Sequence, residues 1–489
     1  MRLTALINGL DLTVERCGGD VDILGLSADS RDCARDYLFA AVPGVETDGR
    51  RFIDNAVSRG VACVLTTPDA ASKVTQDNVS VLTSDRPRRA LAQMAARFFG
   101  DQPERAVAVT GTNGKTSVAV FCAQLWRALG IKAAAVGTLG VCGNGYRASL
   151  AHTTPDPVTL HKVLADLGVR DFKRVALEAS SHGLDQNRVD GVRLSAAGFT
   201  NLTQDHYDYH PNFDAYRDAK FSLFGLVEAD GVAALNADSD QFEAIAAVCR
   251  DNGLHVVGYG HSGNDLRLVD SRYRGPVQIL TIEADGERID TELPLPGHFQ
   301  AMNALCAAAM VAGVEGVEVT RVLELLPSLA GVRGRLERVA EHPDGGPIYV
   351  DYAHTPDALQ TVLAEVRPAV TGKLFVVFGC GGDRDRDKRA RMGAIAARLA
   401  DKVFVTDDNP RTEKPADIRQ EIMVGCPDAT NVDGRAEAIR AAVGEMTDGD
   451  VLVVAGKGHE QGQIVGKQVL PFDDGDEVRR AVDDLGRAA

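Results

Sequence analysis

The feature that most constrains this chain is a junction between residues 106 and 129. Ala106–Thr110 is an apolar run with the length of a buried strand. Gly111-Thr112-Asn113-Gly114-Lys115-Thr116-Ser117 follows at once, and a long helical pattern, Val118–Leu129, comes next. A strand that turns through two glycines into a helix opens a βα unit. The first amide groups of such a helix are unpaired and sit at its positive end, so they attract phosphate. The glycines let the backbone curl closely around the oxygens. In a loop of this type Lys115 lies against the β and γ phosphates and the Thr116 hydroxyl ligates Mg²⁺. The pattern departs from a full G-x-x-x-x-G-K because Val109 stands where glycine is expected. Nucleotide binding alone does not choose between a motor, a switch and a synthetic enzyme.

Strand and helix patterns alternate on either side of this junction. Val61–Leu65 reads as a strand and Arg86–Phe99 as a helix with Leu91, Met94, Ala95 and Phe98 on one face. Ala133–Val136, Arg174–Glu178 and Val232–Leu235 read as buried strands. Beyond Gly331 the alternation repeats, with strands at Ile348–Asp351, Leu374–Phe378, Val403–Thr406 and Val451–Ala455 and helices at Pro356–Val366, Arg389–Leu399 and Ala436–Met446. The expected fold is α/β in three domains: a small N-terminal α/β domain (residues 1–85), a central ATPase-like domain with a mostly parallel sheet (86–330) and a C-terminal Rossmann-like domain (331–489) that lacks a GxGxxG fingerprint.

Aromatics make up only 5% of the chain, with Trp126 the single tryptophan, so the cores must be built from Ala, Val, Leu and Ile, which suits such layers. A formal charge of −16 argues against non-specific nucleic-acid binding, since phosphate backbones require a basic surface. The nine cysteines are scattered without a CxxC, which points to reduced thiols, a cytoplasmic setting and no zinc site. The first residues carry acids and lack a long apolar run, and no stretch approaches a membrane span.

TGTNGKTS at 110–117 resembles the phosphate loop of the Mur ligase family. Other stretches match that family in order: TTPDP at 153–157, EASSHGLDQNR at 178–188, NLTQDHYDYH at 201–210 and YRDAK ending at Lys220. GVRGRLE at 331–337, DYAHTPDAL at 351–359, GCGGDRDRDKR at 379–389, DDNPR at 407–411 and AGKGHE at 455–460 follow. The resemblance spans nearly the whole chain and is strongest to diaminopimelate-adding members. It implies a UDP-binding domain, an ATPase domain and a Rossmann-like domain for the incoming amino acid. The activity implied is ATP-dependent ligation of meso-2,6-diaminopimelate to the D-glutamate γ-carboxylate of UDP-N-acetylmuramoyl-L-alanyl-D-glutamate through an acyl phosphate, a step of peptidoglycan precursor synthesis.

The same resemblance assigns roles. Lys115, Glu178, His206 and Lys220 are the implied catalytic residues. Thr116, Glu178, His206 and Lys220 are the implied Mg²⁺ ligands, with Lys220 modified by CO₂ to a carbamate, which turns a cation into a two-oxygen anion. Taken alone, Lys220 reads as a solvated helix face. His210, four residues beyond His206, is a weaker metal candidate. Gly111 to Ser117 together with Asn303, Arg335, Asp351 and His354 make up the ATP site, although Gln300 stands where the family usually has asparagine. Ala28, Ser30, Arg31, Val45, Glu46 and Thr47 fall where relatives hold uridine and pyrophosphate. Thr153, Thr154, Ser180, Gln186 and Arg188 match positions that hold the muramoyl dipeptide.

Diaminopimelate differs from lysine by a far-end carboxylate, which a guanidinium grips bidentately. Arg384 and Arg411 are the matching arginines, with Asp408, Asn409, Pro410, Gly456 and Glu460 around the same end. The alternatives are a lysine-adding Mur ligase, a folylpolyglutamate synthetase-like ligase, or a nucleotide-driven switch that makes no bond. Arg411 and the intact C-terminal series argue against the first two. A monomer acting on small molecules is expected, with no nucleic-acid partner.

Overall fold

Alternating strands and helices become layered, mostly parallel sheets. The computed structural model describes residues 1–44, 47–203, 209–274, 277–344 and 346–488. The chain divides into two units, Met1–Leu266 with Cys306–Val322 and Arg267–Leu305 with Leu323–Ala489.

The first unit begins with a five-stranded sheet in the order Thr13–Arg16, Ser80–Thr83, Cys63–Thr66, Tyr37–Ala40, Gly25–Ser27, parallel except at the first strand. Side chains alternate across a sheet. Leu38 and Ala40 accordingly pack on one face with Leu91 and Met94 of the helix Pro87–Phe99. Phe39 and Val64 pack on the other face with Ile53 and Ala56.

A second sheet surrounds the glycine-rich junction. Arg105–Thr110 lies between Arg174–Glu178 and Leu194–Phe199, both parallel to it. Ala133–Gly137 flanks Arg174–Glu178, and Val227–Asn236 then His255–Gly260 extend the other side, again parallel. The chain leaves Arg105–Thr110 towards one edge and later returns to build the other. The carboxyl end of this strand is therefore a topological switch point, where open α/β sheets bind ligands. The strand Leu194–Phe199 carries no strong signal, being rich in Ala and Gly. Its smallness has a packing reason: a Cβ on Gly198 would lie 2.9 Å from Cys306 Sγ and 3.0 Å from Met310 Sδ. Trp126 is fully buried, with its indole N–H donating to Glu315 at 2.9 Å.

The second unit holds a six-stranded sheet in the order Glu337–Glu341, Pro347–Asp351, Val451–Ala455, Leu374–Phe378, Lys402–Val405, Thr430–Asn431, parallel after the first pair. Leu359 and Leu363 of the helix Pro356–Val366 and Met392 of the helix Asp387–Leu399 cover one face. Ile439 of the helix Arg435–Glu445 and Val478 of the helix Asp474–Ala488 cover the other. The unit also includes the hairpin Val277–Ala284/Glu287–Leu293, which turns through Asp285 and Gly286, both at positive φ.

Arg435 and Asp474 form a bidentate pair at 2.7 Å, both side chains fully buried. Removing one partner of such a pair leaves an uncompensated buried charge. Asp474→Ala is therefore predicted to destabilise this unit by about 3–5 kcal/mol, read as a lowered urea midpoint by circular dichroism. An unchanged midpoint would refute a stabilising role for the pair.

Candidate functional site

The first cluster is built where Arg105–Thr110 runs into the helix Lys115–Ala128. Gly111 and Gly114 take φ of 146° and 88°, which favour glycine. A Cβ on Gly111 would lie 1.9 Å from Thr200 Oγ1. The neighbouring strand end fixes the loop from the side. Thr112 N donates to Asn201 O at 2.9 Å, Asn113 N to Asn201 Oδ1 at 2.9 Å, and Thr200 Oγ1 to Asn113 O at 2.6 Å. Helix capping here is left to Gly114, which offers no side-chain cap, so the first-turn amides of Lys115, Thr116 and Ser117 keep the orientation that suits an anion.

Two lysines meet on this loop. Lys115 Nζ donates to Gly111 O and Thr112 O, both at 2.8 Å, and Lys220 Nζ donates to the same Gly111 O at 2.8 Å. Lys220 comes from the helix Phe213–Phe221 and is 1% exposed, its ammonium 4.5 Å from the Tyr216 ring centroid. Tyr216 OH in turn lies 3.0 Å from Thr112 Oγ1.

Glu178 ends its strand beside the loop and is buried. Its carboxylate accepts from Thr116 Oγ1 at 2.9 Å, Thr138 N at 2.8 Å and Thr138 Oγ1 at 3.2 Å. A Cβ on Gly137 would lie 2.0 Å from Glu178 Oε1, so glycine there makes room for the acid. Lys115, Thr116, Glu178 and Lys220 thus gather around the carboxyl ends of the adjacent strands Arg105–Thr110 and Arg174–Glu178.

The five dipeptide candidates form a connected set. Thr153 Oγ1 lies 3.0 Å from Thr138 Oγ1, and Thr154 Oγ1 donates to Glu178 O at 2.8 Å. Ser180 N donates to Thr154 Oγ1 at 3.0 Å. Arg188 donates to Thr154 O at 2.7 Å and to Gln186 Oε1 at 2.8 Å. Burial, then the Arg88 charge, holds the Arg188 pKa below its ordinary value. Arg88 itself reaches from Gln186 Oε1 to Pro43 O, at 3.4 and 2.6 Å.

Ala28, Ser30 and Arg31 follow the strand Gly25–Ser27, and Thr47 follows Tyr37–Ala40. Parallel pairing of these strands puts both loops beyond the same sheet edge. Arg31 is held there by Asp29 at 2.6 Å. Val45, Glu46 and His206 lie outside the described residues. His210 is buried, its ring 5.4 Å from that of Tyr216.

The remaining candidates belong to the second unit. Asn303 Nδ2 donates to Gln300 Oε1 at 3.1 Å, and Gln300 Nε2 to Arg335 O at 3.4 Å. The Arg335 guanidinium lies 4.9 Å from the Tyr352 ring centroid. Asp351 accepts from Leu336 N at 2.7 Å and Ala353 N at 2.8 Å. Burial pushes the Asp351 carboxyl up against the opposing effect of Arg335. His354, fixed by Tyr352 O at 2.8 Å, is held below the usual histidine range by burial. Burial, with Arg335, takes His459 down to about 4.

Asp408 and Asn409 are buried just after the strand Lys402–Val405. Asn409 Nδ2 donates to Glu460 Oε2 at 3.0 Å. A Cβ on Gly456, at φ 118°, would lie 2.9 Å from Asp408 Oδ2, so the glycine seats that acid. Pro410 O would lie 1.9 Å from a Cβ on Gly382, which packs the two loops together. Arg411 and Arg384 both border Gly381, whose Cβ would lie 2.8 Å from Arg411 Nη1 and 3.7 Å from Arg384 Cγ. Sequence reasoning missed Thr138, Asn201 and Lys457, which the structure ties directly to these candidates.

Family models match three stretches: a Mur ligase family catalytic domain at residues 22–99, a Mur ligase middle domain at 109–311 and a Mur ligase glutamate ligase domain at 334–458. A UDP-N-acetylmuramoyl-L-alanyl-D-glutamate–2,6-diaminopimelate ligase of Caulobacter vibrioides is 50% identical over 471 residues, 95% of this chain and 96% of its own. A solved structure of a ligase of that name superposes with a TM-score of 0.75 at 30% identity, covering 99% of both chains. A folylpolyglutamate synthase of Mycobacterium tuberculosis complexed with ADP shares the fold at 18% identity and a TM-score of 0.62, over 76% of this chain and 91% of its own.

Proposed function

The chain belongs to the Mur ligase family, and from that membership we infer that it is the ATP-dependent ligase that adds meso-diaminopimelate to UDP-N-acetylmuramoyl-L-alanyl-D-glutamate in peptidoglycan synthesis. The observation that carries this reading is the full-length likeness, at 50% identity, to a ligase with that activity. The solved folylpolyglutamate synthase shares only the architecture.

Forming an amide from a carboxylate requires a leaving group. ATP supplies it: the γ-phosphoryl group passes to the D-glutamate γ-carboxylate, giving an acyl phosphate and ADP. The diaminopimelate amine then attacks the carbonyl carbon, and the tetrahedral intermediate collapses to amide and phosphate. Two anions must meet in the first step, so charge placement is the main task of the protein. Lys115 and the first-turn amides carry the β and γ phosphates, and Asn113 and Thr112 shape the loop that receives them. Thr153, Thr154, Ser180, Gln186 and Arg188 hold the muramoyl dipeptide, while Ala28, Ser30, Arg31 and Thr47 hold its UDP end. Asn303, Arg335, Asp351 and His354 serve the nucleotide, and Arg384, Asp408, Asn409, Pro410, Arg411, Gly456 and Glu460 the diaminopimelate.

Thr116 Oγ1 and Glu178 Oε2, 2.9 Å apart and buried, are hard oxygen donors of the kind Mg²⁺ takes. With Lys220 as a carbamate and His206, they are the proposed metal ligands. Bound there, Mg²⁺ neutralises charge on the transferring phosphoryl group. Two ammonium groups on one carbonyl oxygen repel each other. Burial and this neighbouring cation favour the neutral amine that reacts with CO₂, which supports the modification. Among the described residues no helix is long and apolar enough to cross a membrane. A monomer working in the cytoplasm on soluble precursors fits the reading.

Purified protein given ATP, Mg²⁺, the UDP-dipeptide and equal diaminopimelate and lysine should yield, by mass spectrometry, the diaminopimelate tripeptide in large excess, with stoichiometric ADP. A dominant lysine product would replace the substrate assignment. ADP release without either peptide or amino acid would point to a nucleotide switch.

A further inference from the structure

Lys457 follows the strand Val451–Ala455 and has a fully buried side chain. A buried ammonium must be paired, and its partners are all diaminopimelate candidates: Asp408 and Asn409 in the loop after Lys402–Val405, and Glu460 in its own loop. Nζ donates to Asn409 Oδ1 at 2.9 Å and lies 3.4 Å from Glu460 Oε2 and 3.7 Å from Asp408 Oδ1. The neighbouring buried cation, Arg435, is committed to Asp474 at 2.7 Å. Lys457 therefore balances two carboxylates that would otherwise repel each other.

Its second effect is on an amide. Asn409 Oδ1 accepts from Lys457 Nζ and also from Ile464 N, at 2.9 Å each. Both lone pairs of that oxygen are then used. The amide cannot flip, and its NH₂ is fixed on the side of Glu460, where one N–H is taken at 3.0 Å. Its remaining N–H is a donor of set direction.

We propose that Lys457 is a positioning residue for amino-acid specificity: it locks Asn409 as a hydrogen-bond donor and sets Asp408 and Glu460 as the acids for a zwitterionic end, one carboxylate and one ammonium. The proposal rests on the diaminopimelate reading above. Gln463 and Ile464 complete the clamp from the hairpin Gly462–Val465/Gln468–Pro471, since Gln463 Nε2 donates to Asp408 O at 2.6 Å.

The test is steady-state kinetics on the full-length protein, Lys457→Met against Lys457→Arg and wild type, varying each substrate in turn. Lys457→Met should raise the KM for diaminopimelate about 10- to 50-fold, in line with a lost charged hydrogen bond. The KM values for ATP and UDP-dipeptide should stay within about twofold, and the preference for diaminopimelate over lysine should fall. Lys457→Arg, which keeps charge and donors, should recover part of that loss. Should Lys457→Met not fold, Lys457→Gln keeps a donor to Asn409 without charge and should give an intermediate KM. An equal fall of kcat with all substrates, or unchanged diaminopimelate preference, overturns the proposal. Failure of wild type to use diaminopimelate sinks the functional reading itself, whatever the variants do.

Discussion

Replacing Lys220 with alanine is expected to lower kcat about 100- to 1,000-fold, the scale seen when one preorganised charge-stabilising group is removed from a transfer site. The geometry behind this is the shared carbonyl. Lys220, 1% exposed, and Lys115 both donate to Gly111 O, in the loop that should receive the phosphates. An unmodified lysine there adds a second cation to a loop that already has one. A carbamate would supply two oxygens against the loop that leads into Thr116, whose hydroxyl reaches Glu178, and oxygens are the donors that Mg²⁺ takes. The two states predict opposite chemical rescue. If the residue acts as an anion, short-chain carboxylates diffusing into the truncated site should restore part of the activity of Lys220→Ala, and short-chain amines should restore none. Rescue by amines alone would show that Lys220 acts as a cation and would remove the carbamate. Isotope-labelled bicarbonate gives an independent readout, a carbamate carbonyl resonance present in wild type and missing from the variant. Circular dichroism on the variant separates loss of catalysis from loss of fold.

What made the fold legible was burial on both faces. Arg174–Glu178, Leu374–Phe378 and Val451–Ala455 were expected at the bounds observed, because a strand covered by helices on both sides must be continuously apolar. Leu194–Phe199 escaped because Ser195 and Gly198 interrupt its apolar run, and packing against Cys306 and Met310 leaves room only for glycine at 198. The hairpin after Val277 escaped because its exposed face alternates with polar residues, although Asp285-Gly286 is a turn signal.

The helix after the phosphate loop was expected from Val118 but begins at Lys115. The first turn, Lys115-Thr116-Ser117, is polar, so the apolar periodicity begins one turn late. The candidate site divides in the same way. Residues inside long motifs were visible as motifs. Thr138 was not, because its approach to Glu178 arises from the parallel pairing of Ala133–Gly137 with Arg174–Glu178, and register between strands some forty residues apart is not written locally. Lys457 lies inside the AGKGHE stretch, yet spacing gives no sign that it is buried among Asp408, Asn409 and Glu460.

Arg411→Ala is expected to raise the KM for diaminopimelate about 100-fold, with the KM for ATP changed less than about threefold, since a bidentate guanidinium–carboxylate contact is a strong, charge-assisted one. Arg411 is unusual among the described residues in combining a positive φ, 51°, with a long charged side chain. Its backbone is tied on both sides to the hairpin, through Arg411 N to Ile464 O at 3.0 Å and Gly466 N to Arg411 O at 2.7 Å. These bonds maintain the left-handed conformation that an arginine would otherwise avoid. One arm of the guanidinium is anchored, with Nη1 donating to Gly382 O at 2.7 Å. A fork of five donors with one fixed keeps enough N–H groups for a carboxylate and has little freedom left to lose on binding. Lysine has no second carboxylate, so kcat/KM for lysine should barely move in the variant, and the discrimination between the two amino acids should collapse by the same factor as the diaminopimelate KM rises. Arg411→Lys separates charge from shape: it keeps the cation but loses the fork, and should recover only a small part of the loss. If Arg411→Ala leaves the diaminopimelate KM unchanged, the far-end carboxylate is held elsewhere, with Arg384 across Gly381 the next residue to truncate.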